Sequence, residues 1–510
     1  MTRSFLVLSV WLLTFSTLHA ATPPTSAELA RRVDAVLATT WKQAGIRPAP
    51  LSDDAEFLRR VTLDLSGHIP TVTEARKFLD DKSADKRVKL IDRLLVQPSY
   101  AVQFSRVWRD RWLPQSAAQF EELRPEFEDW LRQRLSSNTS YDRMVRELLC
   151  VSSHTEAQAR NAEAGKSGFL FLQANEFKPE NLAGSTARIF LGVNIECAQC
   201  HDHPHARWTR RQFWEFAAFF TDANASGKQE LSIPGSKDKE KVTPHCIDGS
   251  TLLATPGKVD AIASRSRLVD WMTMPDNSYF SRNVVNQVWT YLFGVGLVES
   301  IDDPKGAAPA GRQEILDQLA RAFADSGFDL QYLVRTLVLS RAYQLSSAAG
   351  STANTDEAGQ FNFEHAMLRS QTGEQLYESL LRATGMDATS VPAPAKSEFL
   401  ARFRQQSERA TEADATILQS LVRMNGTLVA QAVDPERGKT ISAAADAPFL
   451  DNAQRIESLY LAALSRRPRP EELVRLHPLL TNCKSASERR RALSPIFWAL
   501  LNCHEFAVNH

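Results

Sequence analysis

The sequence predicts a mainly α-helical protein, an irregular multi-helix array in two packed helical domains. Three observations carry this expectation. Apolar residues recur at helical spacing in most segments, alternating strand-like runs are scarce, and a polar stretch after Phe220 interrupts the pattern.

The first helix is announced by Thr25-Ser26-Ala27-Glu28, a capping-box pattern, and continues through Leu29, Val33, Val36, Leu37 and Trp41. A second periodic segment lies near Leu90 to Leu95, with Pro98-Ser99-Tyr100 expected to break it. Phe104, Val107, Trp108 and Trp112 mark the next helix. Trp130, Leu131 and Leu135 mark another, which leads into the loop and cap signal Ser137-Asn138-Thr139-Ser140. Met144, Leu148 and Leu149 then share one face. Gly168-Phe169-Leu170-Phe171-Leu172 is the best short strand candidate. Ile189, Phe190, Leu191 and Val193 read as the end of a helix, and Trp208, Phe213, Trp214, Phe216, Phe219 and Phe220 as an aromatic-rich one. Thr221 to Thr243 is rich in Lys, Asp, Ser and Gly and reads as a solvated linker or excursion. Helical spacing resumes at Ile315, Leu316, Leu319 and Phe323, again at Leu376, Leu380 and Leu381, and at Ile456, Leu459, Tyr460 and Leu464. Polar breaks at Ser346 to Gln360 and Thr389 to Lys396 punctuate this second half. The expected organisation is a signal peptide at 1–20, an N-terminal helical domain at 21–220, a linker or excursion at 221–254, and a C-terminal helical domain at 255–510 with a further division near 346–360.

The 510 residues suffice for two or three domains, with 43% hydrophobic and 24% charged residues in the ordinary globular range. Lys plus Arg equals Asp plus Glu, at 60 each, which gives no electrostatic reason to expect nucleic acid or an anionic membrane as partner. No internal run is long and uncharged enough for a membrane span. At the N-terminus, Arg3 precedes an apolar run from Phe5 to Phe15, and Leu18-His19-Ala20 ends on a small residue. This is a secretory signal-peptide pattern, with cleavage expected near Ala20 and a periplasmic or secreted mature chain. Export would put the six cysteines in an oxidising compartment. Two of them lie in the motif described next. Cys150, Cys246, Cys483 and Cys503 could pair or remain thiols, and the sequence assigns no pairing.

One chemical signature stands out, Cys197-Ala198-Gln199-Cys200-His201. Cys-x-x-Cys-His is the attachment motif of c-type haem: two thiols add to the vinyl groups on one edge of the macrocycle, and the adjacent imidazole meets the iron. The expected roles are attachment for Cys197 and Cys200 and proximal ligation for His201. Met272, Met274, His245, His365 and Met367 are downstream candidates for a second axial ligand, none singled out by its surroundings. The aromatic run after the motif suits either a porphyrin wall or plain core. A competing chemistry uses Cys197, Cys200, His201, His203 and His205 as donors for zinc or copper, although no second pair at the usual zinc spacing is present. No Gly-x-Ser-x-Gly, P-loop, Rossmann glycine pattern or His-Glu-x-x-His occurs, so enzymatic activity has no signature beyond the motif.

Several segments together resemble one known family. They are Arg59-Arg60-Val61-Thr62-Leu63-Asp64-Leu65-Ser66-Gly67-His68-Ile69-Pro70, Phe190-Leu191-Gly192-Val193 leading to Cys197-Ala198-Gln199-Cys200-His201-Asp202-His203-Pro204, Asn286-Gln287-Val288-Trp289, Phe293-Gly294-Val295-Gly296-Leu297-Val298, Ser340-Arg341-Ala342-Tyr343-Gln344-Leu345-Ser346-Ser347, and Leu501-Asn502-Cys503-His504-Glu505-Phe506. The combination resembles the large secreted planctomycete-type cytochrome-like proteins, in which a domain of unknown function carrying the Cys-x-x-Cys-His-Asp-His-Pro block is followed by a second domain of unknown function. The resemblance spans nearly the whole chain after the signal peptide. It implies an exported redox or electron-transfer protein of the bacterial envelope, with an envelope redox protein as partner. The alternative is a non-enzymatic structural or interaction protein whose Cys/His cluster binds zinc or copper. Two departures bear on the site: His205 stands where the family more often has an aromatic residue, and Cys503 where a small polar residue is expected.

Overall fold

The computed structural model describes residues 23–113, 123–151, 163–204, 206–223, 231–236, 240–250, 252, 261–277, 279–299, 301, 310–348, 362–403, 424 and 426–510. The segment read as a signal peptide, His205 and most of the polar break at Ser346 to Gln360 lie outside them. The described chain is mainly helical and assembled as an irregular array. Its strands among the described residues form two short antiparallel pairs, Leu231–Ser232 with Lys241–Val242 and Arg369–Ser370 with Val508–Asn509.

The local signals work as physical chemistry requires. The Ser26–Gln43 helix starts on a capping box in which the Thr25 hydroxyl accepts from the Glu28 amide and the Glu28 carboxylate accepts from the Thr25 amide, and it buries Leu29, Val33, Leu37 and Trp41. The Lys86–Leu95 helix ends ahead of Pro98 as expected. Pro98 itself opens the Pro98–Trp112 helix, a position where its missing N–H leaves no intrahelical bond unmade. Residues Gly168 to Leu172 are not a strand. They belong to the Glu163–Ala174 helix, where Phe171 and Leu172 are both buried. An apolar run this short fits either periodicity, and packing decides: a Cβ on Gly168 would fall 2.1 Å from Val151 Cγ2 and 2.9 Å from the Glu147 carbonyl, so the helix seats closely against the end of the Tyr141–Leu149 helix. The break at Thr389 to Lys396 contains a 3₁₀ turn and the start of the Ala393–Arg402 helix.

Among the described residues, two hydrophobic clusters form the interior. The larger gathers side chains from Leu29 to Phe363 and takes Leu461 from the far end of the chain. It runs across the polar stretch read as a linker, because Ile233, Val242, Cys246 and Ile247 are buried within it. The smaller gathers Leu376 to Phe506 together with Leu63 and Ile69. The Asp54–Ser66 helix lies between the two, with Phe57, Val61 and Leu65 in the first cluster and Leu63 in the second. It also carries three buried charged residues, Arg59, Arg60 and Asp64. It stops at Gly67, whose φ of 74° is left-handed backbone that a side chain resists.

Candidate functional site

The Cys-His loop is held at both ends. The Pro179–Thr186 helix widens into a π turn at Ala187–Leu191 and is terminated by Gly192 at φ 70°. A 3₁₀ turn at Glu196–Gln199 follows, and Cys200 caps it. On the far side, Thr209 and Gln212 form a capping box that starts the Arg210–Ala217 helix. Two hydrogen bonds close the loop onto that helix, and a third closes it onto the residue before the Thr209 cap. The Arg210 amide donates to Asp202 Oδ1 at 2.8 Å, Trp214 Nε1 donates to the Gln199 carbonyl at 3.1 Å, and the His203 amide donates to the Trp208 carbonyl at 2.8 Å.

Within this frame Cys197 and Cys200 are exposed and unpaired, and Ala198 between them is buried. Cys197 lies in the 3₁₀ turn and Cys200 caps it, three residues farther along the chain. His201 is exposed, and its Nδ1–H donates to the Asp202 carbonyl at 2.7 Å, which leaves Nε2 as the free lone pair. His203 is turned back on the loop, its Nδ1 accepting from the Ala206 amide at 2.8 Å. His205 lies outside the described residues. Among the described residues no three His, Cys, Asp or Glu side chains converge on a common metal-binding point. The other four cysteines are also free. Burial raises the pKa of the Cys150, Cys246 and Cys503 thiols, that of Cys246 to about 12, so these behave as small apolar groups.

The aromatic residues after the motif belong to the core: Phe213, Trp214, Phe216, Phe219 and Phe220 are all buried in the larger cluster. Of the downstream axial candidates, Met272 is fully buried and Met274 exposed, while His365 lies 3.5 Å from the Glu364 carboxylate. His245 is tied to the helix that follows the motif, its amide donating to the Glu215 carbonyl at 3.2 Å.

Beside the loop runs a cleft of about 1590 Å³, whose walls include Glu196 and Gln199 from the motif turn. Its polar floor centres on Asp64. The Asp64 carboxylate accepts from Arg369 Nη2 at 2.8 Å, the Tyr343 hydroxyl at 2.7 Å and Asn509 Nδ2 at 2.8 Å, and its backbone carbonyl accepts from the Tyr291 hydroxyl at 2.7 Å. Arg369 also donates to the Tyr291 carbonyl at 2.6 Å. Five residues distant in sequence thus meet in one buried polar cluster. Arg109 on the adjoining wall pairs with Asp110, Glu128 and Glu374, at 2.9, 2.5 and 3.1 Å. Burial alone would raise the Glu374 pKa, but Arg109 and Arg106 hold it below the usual carboxylate value. Arg111 differs. It has no carboxylate within ion-pair distance among the described residues, donates only long bonds of 3.4 Å to the Val107 and Gln287 carbonyls, and lies over the rings of Trp108 and Tyr291. Burial lowers its pKa.

Reading motifs found the Cys-His loop and missed this cleft. The available signal was Asp64 itself, an acid between Leu63 and Leu65 in a helical apolar segment, which burial obliges to find donors. Its partners Arg369 and Asn509 carry no local signal, since only the fold brings them near.

Residues 32–225 match a family model described as a protein of unknown function (DUF1549), and residues 264–396 match a second described as a protein of unknown function (DUF1553). No curated protein and no solved structure matches the chain. The Cys-His loop lies in the first matched region, and the cleft draws its lining from both.

Proposed function

From a chain that joins a DUF1549 region to a DUF1553 region, we propose an exported c-type-haem-like redox or electron-transfer protein of the bacterial envelope, of the planctomycete-type cytochrome-like kind. Cys197 and Cys200 serve as the attachment thiols and His201 as the proximal ligand. The observation that carries this reading is the geometry of the turn, which offers two exposed thiols three residues apart, followed by an imidazole whose Nδ1 is already engaged and whose Nε2 is free. The donor set therefore fits the group. When bound, haem would supply a one-electron couple at the protein surface, suited to exchange with another envelope redox protein. The chain's own contribution is positional. Gly192 and the Thr209 cap fix the loop ends, Asp202 orients the imidazole through its carbonyl, and Trp214 holds the turn through Gln199.

The alternative makes the same residues, with His203 and His205, a zinc or copper clamp in a structural or interaction protein. One experiment separates the two. Protein recovered from an exporting host is tested by its pyridine haemochrome spectrum and by elemental analysis, beside the Cys197→Ser/Cys200→Ser variant. The expected result is a covalent haem band in the parent and none in the variant, on a chain whose mass begins near Ala21. A spectrum without haem bands, accompanied by stoichiometric zinc or copper, overturns the redox reading in favour of the clamp.

A further inference from the structure

The helix that enters the motif ends on a carbonyl it does not satisfy by itself. In the π turn Ala187–Leu191 the Gly192 and Val193 amides both donate to the Ala187 carbonyl, Val193 at 3.0 Å. Val193 is also the residue whose amide would close an ordinary α-helical bond onto Ile189. The Ile189 carbonyl therefore loses that donor, and Ile189 is buried, where a carbonyl without a partner is costly.

Two side chains of the Phe280–Phe293 helix supply the missing donors. Asn283 Nδ2 donates to the Ile189 carbonyl at 2.7 Å, and Gln287 Nε2 donates to the same oxygen at 3.0 Å and to Asn283 Oδ1 at 3.1 Å. One helical turn apart, the two amides orient each other and act as one clamp. The approach is close: a Cβ on Gly192 would fall 2.7 Å from Asn283 Oδ1 and 2.8 Å from Ile301 Cγ1. From Gly192 the chain reaches Cys197 through Val193 and Ile195, both buried, which leaves little slack between clamp and motif. The clamp also joins the two family regions, because the π turn and the motif lie in 32–225 and the amide pair in 264–396. A π turn is a rare helical form that recurs at functional sites, and here residues of the second region hold it.

We propose that Asn283 and Gln287 are positioning residues for the Cys-His turn. By holding the π turn they fix the register in which Cys197, Cys200 and His201 are presented, so the second family region completes the site of the first. The purpose of the site rests on the redox reading; the contact itself does not. The test uses the full-length chain in two forms, haem-free after production without export and haem-loaded from an exporting host. Asn283→Asp keeps the shape but, once ionised, offers Ile189 no donor, and Gln287→Glu does the same at the less buried position. In the haem-free form, hydrogen exchange read by mass spectrometry speeds up about tenfold or more across 187–203, the loss that one buried hydrogen bond entails. The Ser26–Gln43 helix exchanges as in the parent. Burial raises the pKa of the new carboxyl, so the effect appears as pH rises through that value and vanishes below it, where the O–H donor returns. The parent, corrected for intrinsic rates, shows no such step. In the haem-loaded form, the uncharged Asn283→Ala shifts the midpoint potential, which a loss of overall stability alone does not do. Unchanged exchange across 187–203 in both acidic variants, faster exchange throughout the chain without the pH step, or an unshifted potential overturns the proposal. If Asn283→Asp does not fold, Gln287→Glu decides. A parent without haem from the exporting host sinks the redox reading instead, and the exchange step alone then decides whether the amide pair positions the turn.

Discussion

Asp64 shows how much one side chain can organise. Its carboxylate is buried, and three donors from the Tyr343, Arg369 and Asn509 positions converge on it. Taking a charge out of water is costly, and only full pairing makes it tolerable. Asp64→Asn keeps the shape but leaves Arg369 as a buried cation without its counter-ion. The expected loss is about 3–5 kcal/mol of unfolding free energy, the usual cost of breaking a buried pair from one side. Urea denaturation checks this, and the double variant Asp64→Asn/Arg369→Met should lose less than the sum of the two single changes. Additive losses would show that the two groups do not act as a pair.

At the scale of elements, capping chemistry and close approach set where helices begin and how they seat. Capping boxes open helices at Thr25, Thr71, Thr209, Thr372, Asp451 and Ser485, each satisfying otherwise unpaired amides at a helix start. Gly168 follows a different logic. In a free helix, Gly→Ala gains about 1 kcal/mol from propensity. Here the new methyl would meet Val151 and the Glu147 carbonyl at distances that real side chains do not tolerate. Overpacking of this kind costs about 1–3 kcal/mol, so Gly168→Ala is expected to lower stability despite the better helix former. A chemical-denaturation midpoint at or above that of the parent would show that the Glu163–Ala174 helix can shift to accommodate the methyl.

For the whole molecule, the question is whether the two hydrophobic clusters unfold together. A chain of 510 residues is well beyond the size at which all-or-none unfolding is the default. The clusters are nevertheless laced through one helix. Leu63 and Ile69 from the N-terminal region sit in the smaller cluster, and Leu461 from the C-terminal region sits in the larger. Arg59 donates to the Ala463, Glu505 and Phe506 carbonyls, at 3.1, 3.2 and 2.8 Å, while its neighbour Arg60 donates to the Tyr343 and Leu345 carbonyls, at 2.6 and 2.8 Å. The smaller cluster therefore cannot open without exposing buried arginine donors. Differential scanning calorimetry is expected to give one main transition, coincident with the loss of far-ultraviolet dichroism and of tryptophan burial. Two well-separated transitions, with one set of signals surviving the first, would show the clusters to be independent.

Local sequence determined the helices and the Cys-His turn. Thr25 with Glu28 is a start signal because its hydrogen bonds span three residues, and the turn is legible because its chemistry is confined to Cys197 through His201. Where a signal was local but ambiguous, as at Gly168 to Leu172, packing against the neighbouring helix settled it. The polar stretch after Phe220 suggested a boundary, yet the larger cluster crosses it, since composition records solvation along the chain and not which few apolar side chains fold back. The cleft was decided by tertiary structure alone. Asp64 meets Arg369 and Asn509 across separations of 305 and 445 residues, and no periodicity or spacing encodes such a meeting. It arises because a buried charge must be paired, and only the folded chain brings its partners within hydrogen-bond reach.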